Sequence, residues 1–390
     1  MPSRLHMIAS GKGGVGKSTV AVGLAAALAA DGRRVVLVDG DMSQGTLHLH
    51  LGSHRPAPGI REFFASPRAT LPPLLQPCPA LGFELLGAGG ETLGMTHLHV
   101  QRIARLVRAL RKLDRDDVIV DLAAGSANNT LDLYGTGDLC YIVLTPDPPA
   151  VLAAFAFLKA ALFRAMRRSL PDDSELGLAT AALYQHVNLR EAPQPVVLDL
   201  VAGEQRDQLE QIRANLHIRA VVNFAESANP MAPASAVASV ARERLGLHTQ
   251  AVGALPASSV IAHALRQGQP WPNVAPELAL RLRAWTAVQA EPMPAPPSPV
   301  ACVIGFNEEV VRGSLNLHVQ TEDLGAAGQV LSLVYLGGRV VFRIQRPLLP
   351  DGEASELRAT AVQHQHRTVI LGILGGKLDR VLSGLREDAA

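Results

Sequence analysis

The sequence predicts an α/β protein built on a doubly wound, mostly parallel sheet, with a small α+β domain after it. Three observations lead there. Short β-branched runs alternate with Ala/Leu-rich helical stretches over some 285 residues. The first of these runs feeds Gly11-Lys12-Gly13-Gly14-Val15-Gly16-Lys17-Ser18-Thr19, which fits G-x-x-x-x-G-K-[ST] without a mismatch. Near residue 300 the pattern changes to alternating strands around a Gly-Gly pair. Composition agrees: 48% hydrophobic and 18% charged residues describe a soluble globular chain, and a net charge of +1 offers no bulk attraction to nucleic acid or anionic lipid.

Leu5 to Ala9 is the first strand. Between it and a helix, the glycine-rich loop aims several backbone N–H groups and the positive helix end at one anion. Lys17 is placed to reach the outer phosphates and Ser18 to ligate Mg²⁺. Residues 18–31 form the helix, stopped at Asp31-Gly32. Arg33 to Val38 is a buried strand ending on Asp39-Gly40-Asp41, and carboxylates at the C-terminal end of a parallel strand sit where such sheets bind ligands. The proline-rich stretch from Ser53 to Pro79 loops over the site, with a helical piece at Ile60 to Phe64.

Phe83 to Leu86 is a short strand. Val100 to Leu113 is an amphipathic helix whose Arg102, Arg105, Arg108 and Arg111 form either a solvated or a docking face. Asp117 to Asp121 is the next buried strand. Asp121 is placed to hold Mg²⁺, and the N–H of Gly125 to sense a γ-phosphate, which makes the following segment a candidate switch. Leu139 to Thr145 is a strand and Ala150 to Met166 a long helix. Residues 169–216 read as an elaboration, with candidate strands at 176–183 and 195–201 and a helix at 204–215. Strands at 218–223 and 251–255, and helices at 234–245, 261–266 and 276–290, complete a first domain of residues 1–290.

Residues 291–299 hold five prolines and read as a linker. Residues 300–390 then form a second domain, with strands at 314–320, 329–336 and 339–344 and a helix over 353–385 interrupted near Gly375-Gly376. No apolar run reaches the length of a membrane span, and no signal-peptide pattern opens the chain. Cys78, Cys140 and Cys302 lie far apart, which fits reduced thiols better than a disulfide framework or a cluster site.

Lys12, ahead of the glycines, makes Lys12 to Thr19 resemble the deviant Walker A motif of the MinD/ParA superfamily of ATPases. Val38-Asp39-Gly40-Asp41 through Leu51-Gly52 and Val120 to Gly125 agree with that superfamily, while Thr145-Pro146-Asp147-Pro148 to Lys159, Val222-Asn223 and Gly253-Ala254-Leu255-Pro256 look most like its branch that holds MinD and FlhG. The likeness spans about residues 4–290. It implies ATP and Mg²⁺ as cofactors, with Gly11, Gly13, Gly14, Val15, Gly16, Lys17, Ser18, Thr19 and Gly125 around the phosphates, Asn223 on adenine, and Ser18, Asp39 and Asp121 at the metal. It implies catalytic roles for Lys12, Lys17 and Asp41: Lys12 crosses the interface of an ATP-sandwiched homodimer, and Asp41 positions the attacking water. His48 departs from the branch pattern, which usually has an acidic residue there, and few residues precede the first strand.

The function expected is therefore a slow cytoplasmic ATPase switch that controls a partner complex. An unidentified protein would bind through residues 300–390, and a membrane or DNA surface is a further possible partner. A non-hydrolysing nucleotide-binding scaffold is the first alternative, and an iron–sulfur carrier of the Mrp type the second. The scattered tyrosines do not fit a bacterial tyrosine kinase. For surface contacts, Val369 to Leu385 is either an interfacial helix or a packed one, and Arg164, Arg167 and Arg168 are either a DNA contact or a solvated cluster.

Overall fold

The computed structural model describes residues 2–42, 45–56, 58–89, 100–169, 204–226, 228–287, 305–313, 315–323, 329–336, 339–347, 355–376 and 378. The candidate strands at 176–183 and 195–201, the proline linker and the Gly337-Gly338 turn lie outside them. The chain divides into two compact units, residues 1–166 with 208–291, and residues 167–207 with 292–390.

The larger unit holds an eight-stranded sheet ordered β3-β4-β2-β5-β1-β6-β7-β8. Its strands are β1 (Arg4–Ala9), β2 (Val35–Gly40), β3 (Gln76–Cys78), β4 (Phe83–Leu86), β5 (Asp117–Leu122), β6 (Leu139–Leu144), β7 (Ile218–Ala225) and β8 (Thr249–Pro256). Every residue of β2, β5 and β6 is buried, as expected for central parallel strands covered on both faces. Only β3 runs antiparallel; it is a three-residue edge strand, and Pro77 is tolerated because an edge N–H has no ladder to serve. The proline-rich sequence predicts a loop here, and the structure instead forms this edge strand.

Helix α1 (Lys17–Ala30) follows β1, and its Val20, Val22, Leu24, Ala25 and Leu28 are buried with residues of β2 and β6 in the main core. Next come α2 (Leu47–His50), α3 (Ile60–Ala65), α4 (Val100–Arg111), α5 (Asn128–Tyr134) and α6 (Pro148–Ser169). After α6 the described helices are α7 (Glu204–Ala214), α8 (Ala232–Leu245), α9 (Ser259–Arg266), α10 (Trp271–Val274), α11 (Pro276–Arg281) and α12 (Ala284–Ala287). The single helix expected over 276–290 is thus broken, and residues 288–290 fall outside the described set. Helix α6 is long and apolar enough by composition to cross a membrane, contrary to the expectation of no such run. Its Phe157, Leu158, Leu162 and Met166 are nevertheless buried within the fold.

The arginines of α4 are largely committed internally. Arg105 lies over the Phe63 ring, 4.2 Å from its centroid, and donates to the carbonyls of Ser66 and Ala69. Arg111 forks onto Asp138. Arg164 of α6 likewise forms a two-pronged pair with the buried Asp132 of α5, both contacts 2.7 Å.

In the smaller unit, β9 (Gly305–Arg312), β10 (Leu315–Asp323), β11 (Gln329–Leu336) and β12 (Arg339–Pro347) form an antiparallel sheet in the order β12-β11-β10-β9. Helix α13 (Ser355–Leu374) packs on one face of it. Val369, Ile370, Ile373 and Leu374 join Val310, Leu317, Val319 and Val334 in a core, which is the packed reading of this helix. A polar chain crosses that face. Thr321 and Ser332 are opposite one another in register with hydroxyls 2.7 Å apart, His366 Nδ1 is 2.9 Å from the Thr321 hydroxyl, and Gln365 donates to Ser332 and to the Val330 carbonyl.

Candidate functional site

The site forms because the chain leaves β1 toward β2 and leaves β5 toward β6. These connections run in opposite directions from adjacent strands and open a crevice at their C-terminal ends. Register then sets the levels: Ile8 pairs with Asp121, and Asp39 pairs with the same Asp121. The glycine-rich loop and two strand-end carboxylates therefore meet at one edge of the sheet.

In the loop, Gly16 precedes α1 with φ 82°, a left-handed conformation that a side chain would strain, and a Cβ there would overlap the Asn223 amide. A Cβ on Gly11 would overlap the Ala153 carbonyl, so this glycine lets the loop lie against the first turns of α6. Gly13 and Gly14 occupy the outer bend, and Val15 is buried beneath it. Thr19 is also buried, and its carbonyl accepts from the indole N–H of Trp271 at 3.1 Å. Lys17 and Ser18 are the first two residues of the helix. The Ser18 hydroxyl donates to Asp121 Oδ2 at 2.6 Å, while Asp121 Oδ1 is buried without a partner.

Burial pushes Asp121 up to about 6, against the pull of the Lys17 ammonium and the Ser18 hydroxyl. Burial likewise raises Asp39 to about 7. The backbone N–H groups of Leu47 and Asp41 oppose that rise, and the charge of Asp121 adds to it. Asp41 lies just past the strand end, part exposed, and its charge acts on both carboxylates. Two buried carboxylates in register with a lone unpaired oxygen between strand and helix are a donor set suited to a hard divalent cation.

The remaining expected residues take more specific positions. Gly125 N–H donates to the Ser10 carbonyl at 2.9 Å, tying the turn after β5 to the start of the loop. Asn223 is buried and its amide donates to the Val15 carbonyl at 2.9 Å, so it holds the loop from below. Lys12 is half exposed and its ammonium lies 3.5 Å from Asp147, just past β6. Sequence reasoning missed Asp147 as a site residue, although the strand-end rule that found Asp39 and Asp121 applies to it equally. Asp147 is held below the usual carboxylate range, first by the Thr145 hydroxyl.

Residues 6–270 match the family described as the CobQ/CobB/MinD/ParA nucleotide binding domain. The chain belongs to that family. Among MinD/ParA relatives, antiactivator FleN of Pseudomonas aeruginosa is 30% identical over 169 residues, 40% of this chain and 56% of FleN. An iron–sulfur cluster carrier protein of Deinococcus radiodurans is 34% identical over 159 residues, covering 38% of this chain and 42% of the carrier. The chain thus spans little more than half the length of FleN. The septum site-determining protein MinD of Pyrococcus horikoshii, solved with Mg-ADP, superposes with a TM-score of 0.50 at 18% identity. That match covers 73% of this chain and 96% of the MinD chain, and it shows the shared fold. The MinD/ParA assignment, with its likeness to the branch of FleN and FlhG, agrees with the resemblance carried by residues 4–290.

Proposed function

We propose that this chain is an ATP-driven dimerisation switch that hydrolyses ATP to ADP and phosphate. Through that cycle it would control the positioning or assembly of a partner complex in a bacterial cell. The observation that carries this reading is the pairing of Ser18 with Asp121 beneath the glycine-rich loop, with the second Asp121 oxygen buried and unpartnered and Asp39 beside it. Ser18, Asp39 and Asp121 are suited to hold Mg²⁺, which when bound would neutralise phosphate charge. Backbone N–H groups from Gly13 to Thr19 cradle the phosphates, and Lys17 compensates the charge that builds on the outer oxygens. Asp41, next to the metal carboxylates yet part exposed, orients water for in-line attack.

Lys12 supports the dimer. A loop already served by Lys17 gains little from a second ammonium in the same protomer, and Lys12 projects half exposed beside Asp147. Released from Asp147, it can reach a nucleotide across a two-fold interface. Leu152, 58% exposed at the start of α6 and near the loop, adds apolar surface to that side. The protein partner is assigned to residues 300–390 and the site of action to the cytoplasm or the surface of the membrane or nucleoid.

Phosphate release should be measurable for the wild type and fall to background in Lys17→Ala. Asp41→Ala should bind ATP and accumulate as a dimer without releasing phosphate. Equal background rates in the wild type and Lys17→Ala would sink the enzyme reading, leaving the non-hydrolysing scaffold. The carrier relative favours an iron–sulfur role, but the thiols argue against it here. Among the described residues no group of three or more His, Cys, Asp or Glu side chains is placed together as a cluster site would need, and Cys140 is buried with its thiol raised to about 12.

A further inference from the structure

We propose that Phe224 is the platform on which the base of the bound nucleotide stacks, so that this side chain gives the site its preference for a nucleoside triphosphate over a bare polyphosphate. The inference rests on the nucleotide-binding reading above and names a residue that neither the loop motif nor the strand-end carboxylates include.

Three independent observations meet at Phe224. Among the described residues it is the only non-glycine with positive φ, 56°, a conformation in which a phenylalanine Cβ is crowded by its own backbone. Such strain persists only where the surroundings over-determine it, and it gathers at ligand sites. Phe224 also lies in a bulge. Val222 pairs with Ala254 and Ala225 with Pro256, so Asn223 and Phe224 together oppose one residue of β8, Leu255. Two residues against one re-aim side chains that strict alternation would send elsewhere. Finally, Phe224 is 42% exposed although it borders the loop, its Cζ standing 3.6 Å from where a Cβ of Gly16 would be.

The two bulge residues divide the work. Asn223 turns inward and fastens to the Val15 carbonyl, and through the shared backbone it fixes the Phe224 ring relative to the loop. The exposed ring then flanks the loop on its β7 side. A phosphate gains nothing from that ring, because the face of an aromatic quadrupole is negative. A flat heteroaromatic base attached to the phosphates does gain, and a purine covers more of the ring than a pyrimidine. A ring that merely shields Gly16 would serve every phosphate ligand alike, and this difference separates the two roles.

Calorimetric titration with Mg²⁺ present would compare ATP and inorganic tripolyphosphate on the wild type, Phe224→Ala and Phe224→Trp. Phe224→Ala should weaken ATP roughly ten-fold, the scale of one lost base–aromatic stack, and leave tripolyphosphate unchanged. Phe224→Trp should keep ATP affinity, and its added fluorescence should respond to ATP but not to tripolyphosphate. Phe224→Asn, whose side chain accepts the left-handed conformation, should raise the melting temperature while still losing ATP affinity. Wild-type ATP affinity in Phe224→Ala, or an equal loss for both ligands, would overturn the assignment. If the wild type bound neither ligand, the nucleotide reading itself would fall, and the proposal with it.

Discussion

At the scale of single residues, the fold commits side chains whose chemistry the local sequence does not announce. His6 is buried in β1 with Nε2 2.8 Å from Asp117, and its Nδ1 has no partner. A proton added to the ring would be enclosed without an acceptor. Burial therefore holds His6 below 6.5, even though Asp117 pulls the other way. The unfolded chain binds this proton at the ordinary value and the folded chain only at lower pH. The corresponding stability is thus present above 6.5 and is lost as the pH falls through 6.5 toward the folded value. Urea midpoints should drop across that interval, and His6→Gln should flatten the drop in part, since burial also lowers His48 and His50. An unchanged pH profile in His6→Gln would show that His6 is not a source of the slope. Asp117 acts at lower pH. Burial alone would raise it, but hydrogen bonds from His6 and Arg33 outweigh burial and keep it ionised below its usual range.

Among the elements, α5 and α6 are joined by a pair that the sequence hid. Arg164 read as part of a cationic cluster with Arg167 and Arg168, yet its guanidinium grips Asp132, 32 positions earlier, at two points. Asp132→Ala would leave that guanidinium, mostly buried, without its counter-charge. The expected cost is about 3 kcal/mol in denaturant unfolding, with a smaller loss for Asp132→Asn. A cost within experimental error for both would show the pair to be no more than a surface contact. The same contrast explains what was legible. Lys17, Ser18, Asp39 and Asp121 stand out in the sequence because loop spacing and strand ends are local properties, and strand register sets Asp39 beside Asp121. Asn223 was placed correctly on β7, but its hold on Val15 spans 208 positions and needs a bulge that no periodicity reveals. Strand β3 was missed because its proline argued against a strand, and only its place at the sheet edge makes that proline acceptable.

For the molecule as a whole, two compact units with separate apolar cores should unfold as two events. Differential scanning calorimetry should resolve two transitions. ATP at a hundred times its dissociation constant should stabilise the one belonging to the larger unit by about 2.7 kcal/mol and leave the other in place. A single transition that moves as one with ATP would mean that the units are thermodynamically coupled. In the sequence, the prolines of 291–299 and the alternating strands around Gly337-Gly338 mark the change of architecture near residue 300.

The polar chain in the smaller unit works as a key for strand alignment. Thr321 and Ser332 face α13 only in the observed register of β10 and β11. A slip of one residue would carry one of the two hydroxyls to the opposite face and set apolar side chains against Gln365 and His366. Those buried amide and imidazole atoms would then lose partners, at about 1 to 3 kcal/mol for each group stranded. Leu317 and Val334 share that face, so the same slip would also turn one apolar row toward the opposite side, and the hydroxyls add a polar cost to it. Helix and hydroxyls consequently form one transferable part: grafting α13 onto another four-stranded meander would give a uniquely aligned sheet only if both hydroxyl positions moved with it.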